Sequence, residues 1–395
     1  MTAISGLRGT GDWGTDERPK NFREMILWRE PNGTAPITAL MAKMKSESVD
    51  DPEFSWWEEE NNVLRVQMDA TGASASSTAF GLVSGGYDCV PGDVFMVEKT
   101  ETSTYDNEIV MVTTVSSDTA ITMVRAQAGS SGATTGASAW LTKIGNAFAE
   151  GTDAPDVTSR NPTKNTNYCQ IFKTAYELTK TSEKTKARTG DPLKNDKKRR
   201  MFDHSAAMEF AWLFGQKHET TGTNGKPLRF TGGLRESITT NVQIFTTSPT
   251  EDTFLDAVYP VFDYNAGNGG AAERIIFAGN GFLNNLNKIA RDATNTQINF
   301  EGTVKTYGME LMKWILPQGT VFIKTHPLMN THSKFTNSAF VLNPSGINYR
   351  YLRDTASQDN IQGNGEDTHK GQWLTEAGVE LHHEKTMAYI GNFVV

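Results

Sequence analysis

Residues 191–218 read DPLKNDKKRRMFDHSAAMEFAWLFGQKH and carry a complete helix signature. Asp191 can cap a helix, and Pro192 suits its first position. Apolar residues then recur at helical spacing along two neighbouring lines, while charged residues fill the remaining positions. The residues expected to face a core are Met201, Phe202, Met208, Phe210, Trp212 and Leu213. Such a helix would be roughly 42 Å long, so we expect it to be the spine against which shorter elements pack.

Residues 1–50 are expected to form an extended arm. They mix acidic, basic, Gly and Pro residues with little periodicity, so they cannot bury much surface alone. Five large apolar residues nevertheless lie close together in this segment, namely Phe22, Met25, Ile26, Leu27 and Trp28. An exposed cluster of this kind is costly, so we expect it to be buried against an adjacent subunit. The alternative is that it packs back on the domain of its own chain that contains the spine helix.

Residues 51–79 and 141–168 are expected to form a long two-stranded ribbon. In the first segment, apolar and polar residues alternate around Val63, Arg65 and Gln67, which is typical of a strand with one solvent-exposed face. The sequence YCQIFKTAYELTKT, which begins at Tyr168, also alternates and is predicted to pair with that strand. Because a two-stranded ribbon is marginal alone in water, we expect it to lie against a neighbouring copy.

Three aromatic residues on this ribbon, Phe54, Trp56 and Trp57, are candidates for contacts between subunits. They lie beside residues 58–60, which are all glutamate. Three carboxylates in a row could suggest metal binding or acid–base chemistry, but no His or Asp at ligand spacing accompanies them. A solvated loop is therefore the favoured interpretation of the acidic run.

Residues 80–140 are expected to form a small β domain inserted into the ribbon. The segments VPGDVFMVEKT, NEIVMVTTVSS and TAITMVRAQAG have the continuous or alternating apolar character of strands. Turn and loop sequences separate and close them. We predict no residue with a catalytic or metal-binding role in this insertion.

Residues 248–343 are predicted to form an α/β domain with its own core. EDTFLDAVYPVF and GFLNNLNKIARD have helical patterns, and ERIIFAG, INFEGTVKTY, ELMKWIL and GTVFIKT have strand patterns. Residues 169–247 and 344–395 are expected to form a separate domain around the spine helix. Two terminal strands are expected to return the chain to that helix.

The composition is that of a soluble protein. The chain has 395 residues, of which 37% are hydrophobic and 21% charged. No apolar run approaches the length of about 18 residues that a membrane span needs, and the N-terminus lacks a signal-peptide pattern, so we expect a cytosol-like compartment. Cys89 and Cys169 are far apart in sequence, and two buried thiols are favoured over a disulfide.

The net charge of −8 is unevenly distributed. From Asp156 to Lys226, 14 basic residues stand against 8 acidic ones, a local excess of +6. The overall negative charge argues against a dedicated nucleic-acid binder. The asymmetry could steer contacts between copies, and a solvated helix face is the alternative.

Signals for an enzyme site are weak. Gly9, Gly11 and Gly14 match the spacing of a dinucleotide-binding loop, but no strand precedes them and no helix follows. His382 and His383 are adjacent on a predicted strand, so they point to opposite faces and cannot easily share a metal ion. We therefore predict no catalytic residue, no metal, no cofactor and no enzymatic activity.

Several segments together resemble the major head proteins of tailed bacteriophages. They are NYCQIFKTAYEL before the spine, FAWLFGQK at its end, FTGGLRESITTN after it, the strands GDVFMVEKT and AITMVRAQAG, and VELHHEKTMAYIGNF near the C-terminus. The resemblance covers roughly residues 20–395 and implies an α+β fold of the Hong Kong 97-like type. In that fold the ribbon is called the E-loop, the spine belongs to a peripheral domain, and the α/β domain is axial. No long charged helix precedes the arm, so we see no fused scaffolding region.

The function that the resemblance implies is structural. Copies would assemble into pentamers and hexamers that form the icosahedral head shell around double-stranded DNA, first in the bacterial host cytoplasm and finally in the virion capsid. Separate scaffolding, portal and decoration proteins are the expected kinds of partner. Contacts with DNA should be weak and non-specific, and no membrane should be involved. The alternatives are a virion decoration or fibre protein with a β-rich binding module, and an α/β enzyme.

Overall fold

The computed structural model describes residues 45–59, 64–99, 107–159, 161–187, 189–264, 273–292, 300–306 and 309–394. These residues fall into two compact units. The first unit contains the described residues up to Trp56 together with those from Thr166 onward. The second unit contains those from Trp57 to Asn165.

In the described chain, ten strands precede the first α-helix, strands and α-helices are interspersed in the middle, and seven strands follow the last α-helix. The strands are β1 (Ser46–Ser48), β2 (Glu53–Glu58), β3 (Arg65–Gln67), β4 (Ala79–Gly81), β5 (Asp93–Val97), β6 (Ile109–Ser117), β7 (Ala120–Gln127), β8 (Trp140–Asn146), β9 (Thr163–Tyr168), β10 (Gln170–Thr179), β11 (His218–Thr221), β12 (Pro227–Phe230), β13 (Val242–Ile244), β14 (Glu273–Ala278), β15 (Phe300–Thr306), β16 (Met309–Leu316), β17 (Gly319–Thr325), β18 (Ala339–Leu342), β19 (Ile347–Asp359), β20 (Thr368–Leu381) and β21 (Ala388–Gly391). The α-helices are α1 (Lys180–Lys184), α2 (Pro192–Phe214), α3 (Leu234–Ser237), α4 (Glu251–Val258) and α5 (Asn280–Asp292). The expected α+β class is confirmed.

The longest described helix is α2, the spine helix. The Asp191 carboxylate accepts hydrogen bonds from the backbone N–H groups of Leu193 and Lys194, at 3.0 and 3.3 Å, and Pro192 occupies the first turn. The helix ends at Phe214 rather than His218, because the backbone at Gly215 turns extended (φ −60°, ψ 155°) and leads into β11. Its length is therefore about 35 Å.

The two halves of the spine helix differ in burial. Met208, Trp212 and Leu213 are buried in the core of the first unit, and Phe210 is half-buried. Met201 and Phe202, which were predicted to face the core, are instead 45% and 47% exposed. In this part of the helix the sheet instead contacts the side on which Lys197 and His204 lie. A helical pattern shows which residues share a face, but it does not show how far along the helix that face is covered.

A four-stranded sheet in the order β1–β19–β20–β10 lies against the spine helix. Phe172 and Tyr176 alternate along β10 and are buried, and Gly371 on β20 leaves room for the Tyr176 ring, with which a Cβ would collide. The prediction that the sequence from Tyr168 pairs with the strand around Arg65 is wrong. β10 instead pairs antiparallel with β20, from Gln170 opposite Ala377 to Thr179 opposite Thr368. Alternation gives the faces of a strand but not its partner, which here lies about two hundred residues away.

A seven-stranded sheet in the order β13–β21–β18–β14–β17–β16–β15 completes the first unit. Its central strand β14 is buried on both faces, since Ile275 and Phe277 join the core beneath the spine, while Ile276 and Ala278 join a second core with α4 and α5. The last strand, β21, was expected to return to the spine but lies in this sheet between β13 and β18. Along β21, Tyr389 points into the core beneath the spine, whereas Ala388 and Ile390 point into the second core. This alternation places the strand between the two cores.

The second unit is built on a six-stranded sheet in the order β3–β8–β5–β6–β7–β4. Strands β5, β6 and β7 correspond to the three segments predicted for the insertion. β3 and β8, which were expected in the ribbon, also belong to this sheet, because Val66 and Leu141 point into its core. Strands β2 and β9 pair with each other as a separate two-stranded sheet, and β11 and β12 form an exposed hairpin.

Candidate assembly surfaces

The predicted contact cluster of the N-terminal arm lies outside the described residues. It consists of Phe22, Met25, Ile26, Leu27 and Trp28, and its role in contacts between subunits stays a prediction. The described chain begins at Lys45 and enters β1, which pairs in parallel with β19 from Ser46 opposite Tyr349.

The three aromatic residues of β2 have different environments. Phe54 is buried, and its ring packs so closely on Gly378 of β20 that a Cβ there would lie 2.9 Å from it. Trp56 is half-buried and stacks on Phe54 and on His382, with ring centroids 6.2 and 6.0 Å away. Trp57 is 62% exposed. Of the three, Trp57 therefore offers most of its side chain to a neighbouring molecule.

A charged cluster on the same side of the four-stranded sheet is centred on Glu380. Its side chain is only 2% exposed and accepts hydrogen bonds from Arg350 and from His382. Arg350 also pairs with Glu47 of β1. Burial alone would raise the pKa of Glu380, but the hydrogen bonds from His382 and Arg350 outweigh it and hold that pKa below its ordinary value. The cluster thereby links β1 and β19 to the end of β20.

Buried polar side chains fix the spine helix to both sheets. The His204 ring makes hydrogen bonds with Thr174 of β10 and Thr375 of β20, at 3.0 and 2.8 Å. Burial lowers the pKa of His204, so the ring is neutral at pH 7. Farther along the helix, His326 donates from Nε2 to Glu209 at 2.8 Å, and both side chains are fully buried. These bonds set the rotation of the helix on the sheets.

The second unit contains a buried ion pair between Glu108 and Arg125. The guanidinium donates from Nε to Oε1 at 2.8 Å and from Nη2 to Oε2 at 2.5 Å. Arg125 also donates to Thr135 at 3.0 Å, and the backbone N–H of Ala133 donates to Glu108 at 3.1 Å. The pair therefore holds the 133–135 segment against β7.

Large apolar side chains remain exposed on both units. In the second unit they are Trp57, Val83, Tyr87, Val124, Ile144, Phe148 and Val157. In the first unit they are Ile171, Met201, Phe202, Leu228, Phe230, Ile244, Tyr259, Met312, Ile315, Ile361 and Val394. Single exposed apolar residues are ordinary on a protein surface, whereas neighbouring ones are candidates for association.

The described residues show no arrangement suited to metal chemistry or to a membrane span. No group of three or more His, Cys, Asp or Glu side chains among them is placed to hold a metal ion. None of the described helices combines the length and apolar character that crossing a bilayer requires. Cys89 and Cys169 are buried thiols. Burial and, to a smaller extent, the charge of Glu376 raise the pKa of the Cys169 thiol to about 12. That thiol is therefore protonated and unreactive at neutral pH.

The buried charges at Glu108, Arg125 and Glu380 were not predicted from the sequence. In a strand in which apolar and polar residues alternate, a charged residue normally lies on the solvent-exposed face. A weak signal does exist for Glu380, since it follows AGV and precedes Leu in a run with no other charge. A carboxylate in a strand buried on both faces must have a cationic or donor partner, but the sequence does not say which.

Comparison with known proteins identifies the family. The sequence model of the family described as "SU10 major capsid protein" matches residues 5–393. The major capsid protein of Pseudomonas phage PaMx41 is 26% identical over 376 residues, which cover 93% of this chain and 87% of that protein. Among solved structures, a chain of Mycobacterium phage Bobi is 9% identical with a TM-score of 0.46 over 95% of both chains. A chain from the capsid of a native GTA particle is 8% identical with a TM-score of 0.47 over 96% of both chains. Because the family match spans nearly every residue, the chain belongs to the SU10 major capsid protein family.

Proposed function

We propose that copies of this major capsid protein assemble as pentamers and hexamers into the icosahedral head shell that encloses the viral double-stranded DNA. The observation that carries the proposal is the family match over residues 5–393. The role is structural and non-enzymatic. Shells of this kind arise when one surface of a subunit repeatedly meets a different surface of the next, and the rotation between copies closes into rings.

Each predicted domain has its own position in the proposed shell. Residues 248–343 form the axial domain around each ring axis, and their sheet also includes β13 and β21 from the flanking segments. Residues 169–247 and 344–395, with the spine helix, form the peripheral domain. Residues 51–79 and 141–168 form the E-loop that reaches over a neighbour and carries the insertion at residues 80–140. The rigid attachment of the spine by Glu209 and His204 supports this layout, since a ring contact needs a subunit of fixed shape.

The N-terminal arm is proposed to bind a neighbouring subunit through Phe22, Met25, Ile26, Leu27 and Trp28. Burial of each large apolar side chain contributes about 1.5–3 kcal/mol, less the entropy of ordering the arm. The alternative is packing on its own peripheral domain. Replacing Ile26, Leu27 and Trp28 together by Ser separates the two, because loss of an assembly contact leaves soluble subunits or open rings, whereas loss of a core leaves insoluble chains. Normal shells from this variant would contradict both.

The proposed partners are other copies of the chain and, as separate proteins, a scaffolding protein, a portal and decoration proteins. Assembly takes place in the host cytoplasm and ends in the virion capsid. The protein makes few and weak contacts with the packaged DNA, because a chain with a net charge of −8 has no general attraction for phosphate groups.

Electron microscopy of the purified or co-expressed protein tests the proposal. Closed shells, tubes, pentamers or hexamers are the expected products. Discrete trimers or monomers would favour a decoration or fibre protein instead, and featureless small particles would contradict a shell role altogether.

A further inference from the structure

An exposed acidic segment and an exposed basic helix face are carried by the two different units. The acidic segment is residues 147–159, AFAEGTDAPDVTS, which follows β8. All of its residues are exposed, and none lies in a helix or strand. It contains Glu150, Asp153 and Asp156 and no basic residue. An irregular run of this length in a compact unit usually has a function or is a linker.

The apolar residues of the acidic segment are also presented to solvent. Val157 is 93% exposed, and Phe148 is 46% exposed although its ring packs on Gly92. The backbone N–H of Ala147 donates to the Gly92 carbonyl at 2.9 Å, which anchors the start of the segment. The acidic segment therefore begins at a fixed point and offers both negative charge and an apolar side chain.

The basic face is formed by Lys194, Lys198, Met201 and Phe202 of the spine helix. These positions are spaced i, i+4, i+7 and i+8, so they share one side of the helix. All four side chains are exposed, including Met201 and Phe202, whose helical spacing predicts a place in the core. Two neighbouring half-exposed apolar residues at the end of a line of positive charge form a surface suited to a ligand that is acidic at one end and apolar at the other.

The two surfaces match in charge and length. From Lys194 to Phe202 the helix rises about 12 Å. An extended chain covers that distance in about four residues, which is the separation between Asp153 and Val157. With Asp153 and Asp156 near the lysines, Val157 would reach Met201 and Phe202.

We infer that the acidic segment of one copy docks on the basic face of a second copy of this chain. The inference rests on the proposed function. Two unlike patches carried by the same chain are both satisfied on every copy when copies associate head to tail, which is the geometry that closes rings. The opposite charges steer the encounter, and the apolar contact of Val157 with Met201 and Phe202 holds it.

Cross-linking between differently tagged chains tests the contact directly. One chain carries Val157→Cys and the other Met201→Cys, and the co-assembled particles are oxidised and analysed without reductant. Cys89 and Cys169 are buried, so they give little background. The matched control pairs Met201→Cys with Val83→Cys, a residue of the second unit that is 58% exposed but outside the acidic segment. We expect a cross-linked heterodimer for Val157 and not for Val83. Equal yields for the two pairs, or a cross-link formed only when both cysteines are on one chain, would overturn the inference.

Charge reversal tests the electrostatic part. Changing Glu150, Asp153 and Asp156 to Lys should raise the protein concentration needed for half-maximal assembly about tenfold, because several screened surface pairs are lost and like charges face each other. Changing Lys194 and Lys198 to Glu should do the same, and combining both sets should restore assembly. If the combined variant is no better than the single sets, the pairing is wrong. Normal particles without the cross-link would overturn this inference alone, whereas the absence of any particles would contradict the proposed function and this inference with it.

Discussion

Replacing Arg125 by Met should lower the free energy of unfolding of the second unit by about 3–5 kcal/mol. The side chains of Arg125 and Glu108 are 6% and 1% exposed, so the ion pair is almost wholly removed from water. Met keeps much of the apolar stem of Arg125 but removes the two hydrogen bonds that the guanidinium donates to the carboxylate. The dominant cost is the carboxylate of Glu108, which stays buried without its cation.

The structure places the expected cost toward the lower end of that range. The backbone N–H groups of Ala133 and Ala126 continue to donate to Glu108, at 3.1 and 3.4 Å, and partly stabilise its charge. Replacing Glu108 by Gln in the same chain should recover part of the loss, because no uncompensated charge then remains. The matched control is Arg65→Met. Arg65 makes the same two-point pair with Glu98, at 2.7 and 2.6 Å, but the two side chains are 48% and 30% exposed, so its removal should cost less than about 1 kcal/mol.

Hydrogen exchange in the full-length chain measures the effect in the unit concerned. Backbone amides of β6 and β7 report the second unit, and those of β20 report the first unit as an internal reference. We expect faster exchange in β6 and β7 of Arg125→Met, with exchange in β20 unchanged. A cost for Arg125→Met no larger than that for Arg65→Met would refute the argument that burial makes this pair indispensable.

Three other perturbations have defined outcomes. The folded-state pKa of Glu380 is below its ordinary value of 4.5, so the stability that the ionised carboxylate contributes is fully present above pH 4.5 and is lost as the pH falls through the folded-state pKa. Thermal unfolding of Arg350→Met should therefore depend less on pH below 4.5 than that of the unmodified chain. Leu213→Ala, which empties a fully buried position, should cost about 2–5 kcal/mol in urea unfolding, whereas Met201→Ala on the exposed half of the same helix should cost less than about 0.5 kcal/mol, and equal costs would contradict the burial described above. Soluble subunits should bind duplex DNA weakly and in a salt-dependent way, and nanomolar affinity in a gel-shift assay at physiological salt would oppose the proposed contact with the genome.

The fold class and the family were predictable from the sequence because their signals are local and numerous. The Asp191–Pro192 start of the spine and the strand patterns of the insertion and of the α/β domain need no knowledge of distant residues. The order of these elements, with the joint resemblance of several short segments, led to the Hong Kong 97-like α+β fold and the major capsid family. Each signal is weak alone, and their agreement decided the prediction.

Strand partners and burial along the spine could not be predicted in the same way. The alternation in β10 is compatible with any partner that has a matching face, so the local ribbon was expected and the distant β20 was missed. Met201 and Phe202 follow the same helical period as Trp212, yet in that part of the spine the sheet contacts the side of Lys197 and His204 and leaves both apolar side chains exposed. The same limit applies to the candidate contact residues. An apolar residue could be recognised as a contact candidate, but whether it lies in a core, as Phe54 does, or in solvent, as Trp57 does, depends on residues far away in the sequence.

The distribution of charge between the units bears on how copies meet. Residues 57–165 contain 6 basic and 14 acidic residues, so they account for the whole net charge of −8, and the remaining residues are balanced at 32 of each sign. Within that balanced part, residues 173–200 contain 10 basic and 4 acidic residues. Two second units brought together would repel each other, whereas a second unit brought to the 173–200 region of another copy would be attracted. The electrostatics therefore oppose contacts between like units and favour contacts between unlike ones. Contacts between unlike surfaces of different copies are the kind that can close into rings.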